Sequence, residues 1–388
     1  MKRVCMLRNF TYPEIYPTQR NAEALVAYGY EVDIVCLKNK TQKRREVVNG
    51  VTVNRLPIEH HRKGILRYAY EYSAFFFLAT WKLAWLTLKR RYQVIEVSGI
   101  PDFLVFTAIF PKLLGAKVVF HLLDHTPGVY ADHFKVGAKH PVVRLFSMIE
   151  KTCARWADHI ITTQSTSKDL LVKSGIRASK ITVILNVPDE DVFKQMSKTV
   201  NNNNHFSLIT HGTLVERYRV QTLIKAVPML IKEIPELKVK IVGDGEYQSK
   251  LEELARATGV REYVDFVGRV PFKEIPAQIA QANIGIVAIP TGMNPAIPLK
   301  LLEYLAMGKP TVVNTFPTIQ AYFDESSMMF FKPDDENDLA RCVLELYRNP
   351  EKRAALATAG TAVYQKYRWS LMKLDYFRVF DQYIEGKD

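Results

Sequence analysis

Residues 294–310 read NPAIPLKLLEYLAMGKP, an apolar, helix-like run that holds one lysine, Lys300, and one acid, Glu303. Pro295 and Pro298 suit a first helical turn, where a fixed φ is preorganised and a missing N–H costs nothing. Lys300 then falls in that turn, where the helix dipole is unfavourable for a cation. A lysine placed there needs an anion, so we read it as facing a phosphate. Glu303 lies one turn on, and its two oxygens suit the vicinal hydroxyls of a ribose. Leu301 and Leu302 keep the other face in the core, and Gly308-Lys309-Pro310 closes the helix. The competing reading is a surface Lys–Glu pair worth about 0.2–0.5 kcal/mol.

Three other loops carry similar chemistry. HGTLVERYRVQTLIKA (211–226) places Gly212 and Thr213 at a tight turn, with Arg217 and Arg219 just before an apolar-periodic helix. An arginine at a helix N-terminus can clamp a diphosphate through two N–H groups; a solvated basic turn is the alternative. IVGDGEYQSKLEELA (241–255) sets Gly243 and Gly245 at a strand-to-helix turn, where backbone can approach a ligand closely or simply turn. FVGRVPFKEIP (266–276) ends a strand in Gly268-Arg269, where a flat base could pack against backbone. Taken together, the four loops describe a nucleoside-diphosphate-sugar site.

The elements that must position these loops alternate along the chain. Strands are expected at 3–7, 31–37, 51–56, 94–98, 117–123, 159–164 and 181–186, with helices near 18–28, 65–90, 102–114, 141–157 and 166–174. Residues 187–205, with Pro188, an acidic cluster and four consecutive asparagines, break the pattern as a linker or exposed loop. Strands resume at 206–212, 238–244, 264–269, 284–290, 310–315 and 328–333, and three helical stretches end the chain. Such alternation makes an α/β fold of doubly wound parallel sheets. The expected division is a first domain over 1–190, a linker over 191–205 and a second domain over 206–370, facing across a cleft. The aromatic-rich stretch 371–388 is expected to pack back on the first domain. Ligands in such sheets bind beyond the C-terminal ends of the strands.

Charge is uneven. Residues 1–200 hold 30 Lys and Arg against 17 Asp and Glu, whereas residues 201–388 balance at 23 against 23. The whole basic excess of +13 therefore sits in the first half, which should meet an anionic partner. No basic patch is interleaved with aromatics as in nucleic-acid modules, so nucleic acid ranks last. The stretch YSAFFFLATWKLAWLTL (72–88), flanked by Tyr70, Lys89, Arg90 and Arg91, reads as a core helix or a membrane-surface helix and is short for a span. The four cysteines fall in no metal-ligand spacing and read as reduced thiols. No metal site and no cofactor are expected.

Nearly end to end, the chain resembles glycosyltransferase family 4, of the two-Rossmann GT-B architecture. The resemblance is carried by HGTLVERYRVQTLIKA, IVGDGEYQSKLEELA, VDFVGRV and PLKLLEYLAMGKPTVV, and in the first half by SGIPDFLVFTAIFPKLLGAKVVFHLLDHTP and WADHIITTQS. It implies retaining, metal-independent transfer of a sugar from a nucleotide donor, UDP-linked by default. The donor would lie on the second domain and a lipid-linked or glycan acceptor on the first. By resemblance Glu303 binds the ribose, and Arg217 and Lys300 match the phosphate-contacting region. The departures are as informative. The family's first motif glutamate is Pro295 here, and a glycine common after Tyr218 is Arg219. Of the family's His-Asp pair, Leu123-Asp124 keeps only Asp124, with His121 and His125 close enough to substitute for the histidine.

Mechanistically, charge builds on the β-phosphate as the glycosidic bond breaks. Arg217, Lys300, backbone N–H groups and helix dipoles would stabilise it without a metal. Asp124 and His125 would position the acceptor hydroxyl or the sugar. The expected setting is cytoplasmic, peripheral to the inner membrane face, in cell-surface polysaccharide or glycoconjugate synthesis. The alternative is a catalytically degenerate relative that binds a nucleotide sugar or a partner transferase without turnover.

Overall fold

The computed structural model describes residues 2–58, 65–98, 100–134, 136–194, 205–289 and 296–384. The chain divides into two compact units, one running to Leu185 and rejoined by residues from Leu371 on, the other spanning Asn186–Thr291 and Ile297–Ser370.

The first unit is built on β1 (Arg3–Thr11), β2 (Glu31–Leu37), β3 (Arg45–Val48), β4 (Val51–Leu56), β5 (Val94–Ser98), β6 (Lys117–Leu122), β7 (His159–Thr162) and β8 (Ile181–Val183). Its helices are α1 (Tyr16–Ala27), α2 (Ile65–Arg90), α3 (Ile109–Leu113), α4 (Thr126–Phe134), α5 (Pro141–Trp156) and α6 (Ser165–Lys173), with a 3-10 helix at Asp102–Ala108. The sheet order is β3-β4-β2-β1-β5-β6-β7-β8. Val4, Cys5, Met6 and Leu7 are all fully buried, as expected where helices cover both faces of a parallel sheet. Strand order reverses direction between β1 and β5, so the loops after these strands open a crevice.

Two elements of this unit are absent from the sequence expectation. Strand β3 pairs antiparallel with β4 through Asn49 (φ 50°) and Gly50 (φ 82°). Those two positive φ values are what a tight hairpin turn demands, and the Asn-Gly pair announces it in the sequence. Helix α4 was hidden because Pro127-Gly128 reads as a turn; its first N–H, from Thr126, is satisfied by Glu150 on α5, a long-range partner.

Helix α2 buries Phe75, Ala79, Leu83 and Leu86 in the core and exposes Phe77, Trp81, Trp85 and Leu88 on the opposite face. Among the described residues, no helix is long and apolar enough to cross a membrane. From Leu371, helix α15 (Trp369–Ile384) packs within the first unit. Its Tyr376 O–H donates to Glu96 Oε2 at 2.5 Å, Asp381 takes Lys2 at 3.0 Å, and Phe377 stacks on Tyr28 at 4.1 Å.

The second unit contains β9 (Ser207–His211), β10 (Lys238–Val242), β11 (Val264–Gly268), β12 (Ile284–Val287), β13 (Thr311–Asn314) and β14 (Met329–Phe331), all parallel, in the order β11-β10-β9-β12-β13-β14. Its helices are α7 (Glu190–Lys194), α8 (Val220–Leu230), α9 (Gln248–Ala257), α10 (Ile275–Ala280), α11 (Leu299–Ala306), α12 (Pro317–Gln320), α13 (Glu336–Arg348) and α14 (Pro350–Gln365). The reversal of order falls between β9 and β12. The acidic cluster read as linker is instead the start of α7: Asp189 accepts the Asp191 N–H at 2.9 Å, and the fully buried Phe193 packs on Phe272. Asn201 to Asn204 lie outside the described residues.

Candidate active site

The second unit concentrates its polar chemistry at the β9/β12 reversal. Helix α11 follows β12 and begins at Leu299, with Pro298 as N-cap; Pro295 lies outside the described residues. What docks α11 is Tyr304. A Cβ on Gly285 of β12 would come within 2.3 Å of the Tyr304 ring, so only glycine lets the ring lie on the strand. Tyr304 is fully buried and its hydroxyl reaches His211 Nδ1 at 2.9 Å. Burial, then the nearby Glu303 charge, push the phenol far above its usual range, so it stays an O–H donor.

That docking sets Glu303 against the end of β9. Glu303 is 3% exposed, and its Oε2 meets His211 Nε2 at 2.5 Å. The Tyr304 O–H also reaches Ile209 O at 3.3 Å; with the proton given to the shorter contact, at His211 Nδ1, the Nε2–H donates to the carboxylate. A buried carboxylate needs such a partner. It also alters the sequence reading, because Oε2 is committed to His211, leaving Oε1 and one lone pair of Oε2 for vicinal hydroxyls. His211, Tyr304 and Gly285 are not singled out by the sequence pattern. The available signal was a histidine at a strand C-terminus beside Gly-Thr.

Lys300 sits in the first turn of α11, partly buried, with Nζ and Cε 3.9 Å from where a Cβ on Gly212 would stand. Burial pushes its ammonium down to about 8, with Glu303 opposing the shift. The Tyr218 ring lies 5.8 Å from Lys300 Nζ and 5.0 Å from the Arg217 guanidinium. Neither cation has a carboxylate within ion-pair distance among the described residues. Two cations without a carboxylate partner among the described residues, one helix N-terminus and the exposed Gly212 form a corner whose charge is suited to an anion.

The glycine loops are tied to one another. Gly212 N–H donates to Val242 O at 2.9 Å, Leu214 N–H to Asp244 O at 2.8 Å, and Gly243 N–H to Gly268 O at 2.8 Å. A Cβ on Gly243 (φ 137°) would stand 2.0 Å from Gly212 O, and one on Gly245 2.2 Å from Leu214 O. The close approach these glycines permit is to the neighbouring loop. Thr213 and Arg269 are exposed loop residues. Leu301 and Leu302, expected among the donor-binding residues, are fully buried with their side chains in the core, and the Leu301 N–H is taken by Pro298 O. Arg219, the departure from the family glycine, holds φ 51° and pairs with Asp334 at 3.2 Å.

In the first unit, Asp124 and His125 lie partly buried in the loop after β6. His125 Nδ1 is 3.1 Å from both Glu150 oxygens. His121 is different: it is buried, with Nδ1 2.7 Å from Glu96 Oε1. Glu96 is fully buried and also takes Arg8 at 2.5 Å. Burial alone would raise Glu96, but Arg8, His121 and Tyr376 outweigh it and hold the carboxyl at about 2. His121 therefore belongs to a structural ion network, and of the two histidines His125 alone stands in the loop. Among the described residues no group of three His, Cys, Asp or Glu could hold a metal ion.

Two sequence families cover the chain in succession. Residues 17–186 match the glycosyl transferase 4-like domain, and residues 191–363 match glycosyl transferases group 1. The chain belongs to the family 4 glycosyltransferases. Its two parallel-sheet domains carry the GT-B fold. This glycosyltransferase is 30% identical, over 42% of its length and 43% of the relative's, to a GDP-mannose-dependent monoacylated α-(1-6)-phosphatidylinositol monomannoside mannosyltransferase of Corynebacterium glutamicum. Over 88% of its length and 73% of the relative's, it is 22% identical to a component of the phosphatidylinositol N-acetylglucosaminyltransferase of Arabidopsis thaliana. The match thus spans less than half of the corynebacterial enzyme. The fold is shared with Anabaena HepE, solved in complex with UDP-glucose, at a TM-score of 0.76 and 16% identity over 98% of this chain and 100% of that one.

Proposed function

We propose that this glycosyltransferase moves a sugar from a nucleoside-diphosphate-sugar, UDP-linked by default, to a lipid-linked or glycan acceptor, with retention and without a metal. The carrying observation is the pair of cations, Lys300 and Arg217, that have no carboxylate partner among the described residues and lie around Gly212 at the strand-order reversal, with Glu303 one turn along α11. A diphosphate at that corner would meet Lys300, the Arg217 guanidinium and the α11 N-terminus, which stabilise the charge that grows on the leaving group. Glu303, braced by His211, then receives the ribose hydroxyls. Asp124 and His125 on the first unit orient the acceptor or sugar hydroxyl. The lipid-linked acceptor is supported by relatives named for phosphatidylinositol substrates.

The α2 surface supports membrane attachment. Phe77, Trp81, Trp85 and Leu88 form an exposed stripe beside exposed Phe110, Leu113 and Leu114 of α3 and its flank. Lys82 and Lys89 lie 4.8 and 4.0 Å from the Trp85 ring. Aromatic rings with snorkelling lysines suit an anionic bilayer interface.

Calorimetric binding of UDP, GDP, ADP and their sugar conjugates to wild type and Glu303→Ala tests the donor site. One nucleotide should bind wild type, and the variant should lose it. A well-folded protein that binds none would sink the proposal and turn attention to the degenerate, partner-binding alternative. Co-sedimentation with phosphatidylglycerol vesicles should fall with added salt and with Trp81→Ala; indifference to anionic lipid would refute membrane attachment.

A further inference from the structure

The ends of β5 and β6 carry a polar cluster that the donor site does not use. Asp102 follows β5 and is 3% exposed. Its Oδ1 accepts the Thr126 hydroxyl at 2.8 Å, and its Oδ2 is buried without a hydrogen-bond partner. Thr126, the first residue of α4, also donates its N–H to Glu150 Oε2 at 3.1 Å. Glu150, 5% exposed on α5, in turn faces His125 Nδ1 at 3.1 Å. The Glu150 carboxylate therefore sits at the N-terminus of α4, accepting its first amide, where the helix dipole favours negative charge.

The protons of this cluster can be assigned. Burial first, and the Glu150 charge second, push Asp102 up to about 8, so Asp102 is neutral at pH 7. Tyr130 of α4 is raised by burial and by Asp102, and Cys153 of α5 by burial, Asp102 and Glu150, so both keep their protons. Among the described residues, Glu150 is then met by the Thr126 N–H at 3.1 Å and by His125 Nδ1, which lies 3.1 Å from both of its oxygens.

We infer that Glu150 is a positioning residue for the transfer: it holds His125 in the Nδ1-protonated tautomer, so that Nε2 is left as the acceptor for a substrate hydroxyl. This rests on the proposed role of His125 in orienting a hydroxyl. An imidazole whose Nδ1–H is fixed by a carboxylate keeps one ring orientation and one lone pair on Nε2. No covalent step is assigned to it; it orients a hydroxyl and accepts its hydrogen bond.

The test uses the full chain. Long-range proton–nitrogen NMR of the imidazoles, assigned with H125N, reads the tautomer. Wild type should show the Nδ1–H form of His125, and E150Q should lose it. With the donor selected by calorimetry, E150Q should lower kcat by at least about tenfold while donor KM and nucleotide Kd stay within about twofold. T126V, which keeps the amide bond to Glu150, should retain the Nδ1–H form. An Nε2–H wild type, or an E150Q enzyme with wild-type kcat, overturns the inference. Should E150Q not fold, the wild-type spectrum still decides. Failure of any nucleotide to bind wild type would refute the donor reading while leaving the tautomer result to stand.

Discussion

Nucleotide-sugar affinity should fall as pH rises, because Lys300 must regain a proton to meet a diphosphate. Burial pushes the Lys300 ammonium down to about 8 from 10.5. Without ligand it is then roughly 90% protonated at pH 7 and roughly 10% at pH 9. A bound diphosphate restores the lysine to its ordinary range, so binding at pH 9 requires proton uptake. The dissociation constant should rise about tenfold from pH 7 to pH 9, or about 1.4 kcal/mol. A nucleotide sugar is the ligand to use, since its diphosphate has no ionisation of its own in that window. Calorimetry in buffers of different ionisation enthalpy should register uptake of roughly half a proton at pH 8. Lys309 is also pushed down to about 8 by burial, but it is fixed to Ala280 O and Ala282 O at 2.8 Å. It titrates alike with and without ligand, and Lys300→Met should abolish the pH dependence. Unliganded stability moves the other way. Between about 8 and 10.5 the unfolded chain binds more protons at this site than the folded one, so stability rises with pH, by up to about 1.4 kcal/mol per unit. An affinity that stays flat from pH 7 to 9, with no proton uptake, would refute the placement of Lys300 at the phosphate.

Gly243→Ala should cost at least about 2–3 kcal/mol in urea unfolding, since its Cβ would stand 2.0 Å from a backbone oxygen at φ 137°; a loss under 0.5 kcal/mol would contradict the loop contact. Tyr376→Phe removes a donor from the buried Glu96 and should destabilise by about 1.5–3 kcal/mol in the same assay. Arg219→Gly relieves a φ of 51°, worth about 1–2 kcal/mol, against a partly exposed ion pair worth at most about 1 and the extra chain entropy of glycine. Its thermal midpoint should be nearly unchanged, and a large drop would mean that Arg219 is held by more than Asp334.

Much of this protein follows from local pattern. β-branched runs separated by helical periodicity establish two α/β domains, because parallel sheets buried on both faces need continuous apolar strands. Lys300 stands out in the sequence because a cation in the first turn of an apolar helix is disfavoured by the dipole, and the structure does place it in that turn. Other features depended on residues far apart in the chain. Helix α4 has its first amide satisfied by Glu150 of α5, and nothing within TPGVYADHF reports that. Glu303 was legible as an acid set in an apolar helix, but its burial and its partner His211, from β9 and 92 positions away, follow from Gly285 letting Tyr304 lie on the sheet. Gly243 and Gly245 were legible as turns, whereas the backbone they accommodate is that of the next loop. His121 and His125 look equivalent in sequence; burial beside Glu96 makes one structural and a loop makes the other available. The sequence by itself determined which chemistries were present, since residue type and period fix propensity and charge. Only tertiary structure decided which groups are already satisfied, since hydrogen-bond and ion-pair partners are chosen by strand order.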